Sequence, residues 1–119
     1  MKVLLIDDEH ALVALWREYL QLRGHDVVST GRISEARPHV EKGWPDVVVV
    51  DFELPDGSAA DVLELVSEHS PSAGTVLCSG HGAALPPALL ARADLVLGKP
   101  LRLNELRDAL DHLALRDQR

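Results

Sequence analysis

The sequence predicts an α/β domain: a parallel sheet of five strands with helices on both faces. Two observations predict it. Short apolar runs alternate with amphipathic segments five times along the 119 residues, the pattern of successive βαβ units. The third run, Val47-Val48-Val49-Val50, is four β-branched residues in a row, which suits a central strand covered on both faces. Right-handed crossovers leave few topologies, and five strands fit a flavodoxin-like, doubly wound (βα)5 sheet of order 2-1-3-4-5.

The elements follow in order, with strands expected at 2–6, 26–30, 46–50, 74–78 and 94–97 and helices at 10–23, 34–42, 58–69, 84–92 and 102–115. Strand one, Val3-Leu4-Leu5-Ile6, ends in Asp7-Asp8. The first helix carries Leu12, Leu15, Trp16, Tyr19 and Leu22 at helical spacing and stops at Gly24, a good residue just past a helix end. Pro38 falls inside the second helical pattern, where it costs about 3 kcal/mol, so that helix is expected to be short, irregular or late to start. Strand three ends in Asp51 and runs into a turn, Phe52-Glu53-Leu54-Pro55-Asp56-Gly57. Strand four leads to Ser79-Gly80-His81-Gly82, and Pro86-Pro87 then shortens the fourth helix. Strand five leads to Gly98-Lys99-Pro100, and the last helix repeats Leu103, Leu106, Leu110 and Leu113 on one face.

Composition excludes several classes. Apolar residues make up 46% and charged ones 26%, ordinary for a soluble globular chain long enough for one core. A net charge of −7 argues against direct nucleic-acid binding, which needs a basic patch. Cys78 is the only cysteine, so no disulfide forms within the chain, and its apolar neighbours suit a buried thiol in a reducing compartment. No apolar run approaches the roughly 20 residues that span a bilayer, and the start is not a signal peptide. A cytoplasmic protein without membrane contact is expected.

In the predicted order, strands one and three are neighbours, so Asp7, Asp8 and Asp51 meet at the carboxyl ends where open α/β sheets bind ligands. Like charges this close raise one another's pKa or demand a cation. Mg2+ is the natural choice, because it takes hard oxygen ligands and needs few protein groups.

An acidic pair, a lone aspartate ending a strand, a hydroxyl ending the next and a Lys-Pro, in this order, resemble the receiver domain of two-component response regulators (CheY-like). The resemblance covers essentially the whole chain, 1–119, as one domain. It implies a phosphoacceptor in a phosphorelay, a signalling switch rather than an enzyme. A sensor histidine kinase or histidine phosphotransfer protein would supply the phosphoryl group, and a downstream partner would read the result. By the same resemblance Asp51 is the phosphoacceptor, Asp8 binds Mg2+ directly, Asp7 does so largely through water, and the Glu53 carbonyl adds a third protein oxygen. Lys99 pairs with Asp51 at rest and with a phosphoryl oxygen afterwards. Ser79 donates its hydroxyl to the phosphoryl group, while Gly80, through its N–H, and Phe52, next to the acceptor, complete the binding set. The Lys99-Pro100 bond is cis in that family.

One departure bears on switching. Typical receivers carry Tyr or Phe three residues before the lysine, whereas this chain has Val96, which is no rotating aromatic gate. Leu77-Cys78-Ser79-Gly80-His81-Gly82 resembles the motif of an alphaproteobacterial branch of single-domain receivers that also lacks the ring, and in which a loop orders instead. Glu53 and His81 occupy positions that set phosphoryl lifetime in the family.

Other readings compete. Asp7-Asp8-Glu9 also suits the start of a helix, Asp51 an ordinary turn, Ser79-Gly80 a plain loop and Lys99 the solvent. His10, His25, His39, His69 and His112 lack zinc-ligand spacing and read as solvated; Trp16 and Trp44 read as packing residues. A Mg2+-dependent aspartyl phosphatase of the haloacid dehalogenase type uses a similar set, but wants Asp where Glu53 stands and has a cap domain. A pseudo-receiver scaffold is disfavoured by the complete acidic set. The chain closes at Leu115-Arg116-Asp117-Gln118-Arg119, which fits a stand-alone receiver or one part of a longer regulator.

Overall fold

The computed structural model describes residues 1–80 and 85–116. Five parallel strands, β1 (Lys2–Ile6), β2 (Asp26–Thr30), β3 (Val47–Asp51), β6 (Gly74–Ser79) and β7 (Leu95–Gly98), lie in the order β2-β1-β3-β6-β7. This is the predicted 2-1-3-4-5 arrangement. A two-stranded hairpin of β4 (Glu53–Leu54) and β5 (Gly57–Ser58) interrupts the count. The sequence reading has only a turn there.

The sheet separates two apolar layers, because alternate residues of each strand point to opposite faces. Leu4, Ile6, Val48, Val50 and Leu77 pack with α2 (Ile33–Glu41), α3 (Ala59–His69) and α4 (Pro87–Arg92). Val3, Leu5, Val47, Val49 and Val76 pack with α1 (His10–Leu22) and α5 (Leu103–Arg116). The four valines of β3 are fully buried or nearly so, as a strand between two helical layers requires.

Several expectations shift. Asp51 lies inside β3, opposite Cys78, and Ser79 lies inside β6, so both belong to strands rather than following them. The buried stripe of α1 is Val13, Trp16 and Leu20, whereas Leu15 and Leu22 face outward at 51% and 81% exposure. The expected apolar stripe was therefore rotated, since leucines also sit on the outer face. Gly24 has φ 92°; Gly24 N–H donates to the Gln21 carbonyl and His25 N–H to the Leu20 carbonyl, a Schellman end to α1.

Pro38 does lie inside α2, yet that helix starts early, at Ile33. The Asp56 carboxylate explains the start: it accepts the Ile33 and Ser34 N–H groups at 2.8 and 3.0 Å, satisfying first-turn donors that otherwise lack partners. The fourth helix is indeed reduced, to six residues behind Pro86. Trp16 and Trp44 pack into the two layers, but two histidines are not merely solvated. His25 is half-buried against the N-terminal amine at 3.0 Å, and His39 meets Trp44 edge-on at 6.1 Å. Among the described residues, no helix is long and apolar enough to cross a membrane.

Candidate functional site

Three ladder bonds at the carboxyl edge of the sheet position the site. Asp7 N–H donates to the Thr30 carbonyl at 3.0 Å, Phe52 N–H to Cys78 at 2.9 Å, and Lys99 N–H to Ser79 at 2.9 Å. Each carries the parallel pairing to, or just past, a strand end. Asp7, Asp51 and Lys99 are therefore aimed by the sheet and not by independent loops. The Lys99-Pro100 bond is cis.

The predicted acids come together. Asp7, Asp8 and Asp51 each offer a carboxylate oxygen, and these atoms lie within 4.8 Å of one another. Their surroundings differ: Asp7 is 3% exposed, Asp51 is half-buried and Asp8 is exposed. Both Asp7 oxygens are engaged, Oδ1 by the Glu9 N–H at 3.0 Å and Oδ2 by Lys99 Nζ at 2.9 Å. Lys99 Nζ also reaches Asp51 Oδ1 and Glu9 Oε1, each at 3.3 Å. A depression of about 210 Å³ opens over the cluster, lined by Glu9, Asp51, Phe52, Glu53, Gly80 and Lys99.

Electrostatics follow from that packing. Burial, with the charge of Asp7 added, raises the Asp51 pKa above the usual carboxylate value, and Lys99 only partly offsets this. Burial works against the Lys99 ammonium, yet the hydrogen bond and charge of Asp7, together with Asp51, hold its pKa above the lysine norm. Cys78, the ladder partner of Asp51, is a buried residue whose thiol is pushed up to about 12, by burial first. It is inert at neutral pH.

Ser79 is buried at the end of β6, on the same edge, and Gly80 passes close to the lysine stem, where an added Cβ would lie 4.0 Å from Lys99 Cβ. Val96 is 42% exposed on the edge strand and is not among the residues that line the depression. His81 lies outside the described residues.

The acidic run also opens α1, where the Glu9 N–H donates to Asp7 Oδ1. Glu9 is the N-cap of α1 but its side chain makes no cap hydrogen bond. Its contact with Lys99 went unread in the sequence, where the only signal was a glutamate at a position that favours Ser, Thr, Asp or Asn.

The donors are all hard oxygens, and acids outnumber the single lysine that touches them, so the set fits a small divalent cation.

Comparison with known proteins gives one answer at several levels. The family model described as the response regulator receiver domain matches residues 3–111. The photosynthetic apparatus regulatory protein RegA of Rhodobacter capsulatus is 29% identical over 91% of this chain and 60% of its own length. The transcriptional regulatory protein TrcR of Mycobacterium tuberculosis is 33% identical over 89% of this chain and 42% of its own. The chain thus spans about half the length of these curated relatives. A CheY-like receiver domain protein from Methanospirillum hungatei superimposes with a TM-score of 0.89 at 20% identity, covering 98% of this chain and 96% of that one.

Proposed function

This chain belongs to the family of response regulator receiver domains, the signalling switches of two-component systems, and we propose that Asp51 is its phosphoacceptor. The observation that carries the reading is the convergence of Asp7, Asp8 and Asp51 beside one lysine at the carboxyl edge of the sheet. Asp51 Oδ attacks the phosphorus of a phosphohistidine; the P–N bond breaks, the imidazole leaves and takes up a proton, and an acyl phosphate remains. The transition state is loose, so positioning and charge neutralisation do most of the work. The β3–β6 ladder fixes the backbone of Asp51 beside Cys78. Lys99 already lies 3.3 Å from Asp51 and turns from that contact to a phosphoryl oxygen only once the acyl phosphate has formed.

Mg2+ is the cofactor we assign, and when bound it neutralises charge on the transferring group. Asp8, exposed and uncommitted to Lys99, would hold it directly with Asp51; Asp7, whose oxygens are taken, would act through water, and the Glu53 main chain would complete the set. Ser79 and the Gly80 N–H receive the phosphoryl oxygens, with Phe52 N–H fixing the backbone beside the acceptor.

Phosphorylation adds a charge near −2 to a site already rich in acids. The pull on Ser79 passes to β7, which is paired to it through Ser79–Gly98 and the Lys99 N–H. With Val96 in the ring position, we assign switching to that backbone path. The donor is a histidine kinase or phosphotransfer protein, and the reader is a protein partner.

Intact-mass measurement after incubation with acetyl phosphate tests the reading. One phosphoryl group is expected with Mg2+, none with EDTA, and none in Asp51→Asn. A group that survives the substitution would place the acceptor elsewhere. Sustained hydrolysis of phosphate esters would favour a phosphatase instead.

A further inference from the structure

We propose that Glu9 is a positioning residue, whose carboxylate holds one N–H of Lys99 at rest and yields it to an incoming phosphoryl oxygen. The proposal rests on Asp51 being the acceptor and concerns how readily that site accepts an anion.

Three carboxylates face one ammonium: Asp7 at 2.9 Å, Glu9 at 3.3 Å and Asp51 at 3.3 Å. An ammonium has three N–H donors; Asp7 and Glu9 accept two of them, and Asp51 is ion-paired beside the remaining one. A phosphoryl oxygen that reaches Lys99 must displace one acceptor. Asp7 is 4% exposed at its side chain, and stripping it of its partner strands a buried charge. Asp51 is the nucleophile and keeps its place beside Lys99 until the new bond forms. Glu9 is 57% exposed, so water replaces Lys99 around it at little cost. It is the acceptor that can leave.

Two further features fit this role. Glu9 Oε1 turns toward Lys99 although the residue occupies the N-cap of α1, where a side chain ordinarily bonds the first-turn N–H groups. Glu9 also lines the depression above Asp51, together with Gly80 and Glu53. Its charge stands in the path of a dianionic donor and opposes it. Glu9 therefore holds the lysine in place before reaction and slows the reaction by the same contact.

The full chain with Glu9→Ala, Glu9→Gln and Glu9→Asp separates the possibilities. Asp keeps a charge at the rim but is one methylene too short to hold Nζ. Two measurements are made on each variant: the rate of Asp51 phosphorylation by acetyl phosphate with Mg2+, and, in EDTA, the dissociation constant for inorganic phosphate from the amide shifts of Phe52, Gly80 and Lys99. Losing an exposed ion pair predicts phosphorylation about threefold faster in Glu9→Ala, with phosphate bound about threefold tighter. Both gains shrink in high salt. Glu9→Asp should move toward Glu9→Ala, and Glu9→Gln should fall between wild type and Glu9→Ala. Glu9→Asp behaving as wild type would mean rim charge alone acts, and Glu9→Ala behaving as wild type would mean Glu9 is idle; either overturns the proposal. Absence of phosphorylation in every protein, wild type included, would count against the acceptor assignment, and the metal-free phosphate measurement would still decide the role of Glu9.

Discussion

Lys99 Nζ lies closer to Asp7 Oδ2, at 2.9 Å, than to Asp51 Oδ1, at 3.3 Å. The lysine is therefore part of the resting structure as well as of the chemistry: it neutralises an acid that is only 3% exposed. A buried carboxylate without that partner is costly, and a third acceptor, Glu9, keeps the ammonium from swinging out.

Lys99→Met, which keeps the stem and deletes the charge, should destabilise the domain by about 3 kcal/mol, the cost of leaving one member of a buried pair uncompensated. Because the folded-state pKa of Lys99 is raised, this contribution is present in full below the ordinary lysine value of 10.5 and is lost as pH rises through the folded value. Urea unfolding of both proteins should show a gap that is constant from neutral pH to about 10 and narrows above it. A gap near zero at pH 7 would remove the structural role.

Asp51→Asn should do the opposite. Its pKa is raised by burial and then by Asp7, so the charged form costs native stability. That cost is absent below the unfolded carboxylate value of 3.8 and grows as pH climbs through the raised folded value. At neutral pH the substitution should raise Tm by on the order of a few degrees, with the difference closing in acid. Thermal scans from pH 7 to 4 check it, and a lower Tm at pH 7 would contradict the sign.

How far the sequence speaks depends on whether one residue or two decide an outcome. The β-branched run of β3 and the acids closing β1 and β3 declare themselves, because apolar period and strand-end charge are local signals. The sheet order and the meeting of Asp7, Asp8 and Asp51 follow from handedness rules. What stays hidden are contacts between distant segments. Asp56 caps α2 across a separation of 23 residues, which is why the helix starts before its proline suggests. The outward face of α1 carries Leu15 and Leu22, so hydrophobicity alone misplaced the buried stripe. Glu9 looks like one more helix-start acid until the lysine, 90 residues away, is seen beside it.

The last prediction concerns the opposite edge of the sheet, where Asp94 ties β6, β7 and α5 together. Its Oδ2 accepts the Thr75 N–H at 2.8 Å and the Thr75 hydroxyl at 3.2 Å, and its Oδ1 accepts Arg116 at 2.8 Å. Thr75 is 6% exposed, so Asp94→Ala strands a buried backbone donor and should cost about 2 kcal/mol. Burial alone would raise the Asp94 pKa, but Arg116 and the Thr75 bonds outweigh it and hold the carboxyl below its usual value. A depressed acid contributes stability above its unfolded value of 3.8 and loses it as pH falls through the folded one. Urea unfolding of wild type and Asp94→Ala should therefore show a gap at pH 7 that narrows toward pH 3, while Asp94→Asn, which retains one acceptor oxygen, falls between them. Phosphorylation of Asp51 should be unaffected in both variants, since the tie lies at the amino ends of β6 and β7, away from the acids; a slowed reaction would mean that this edge communicates with the site.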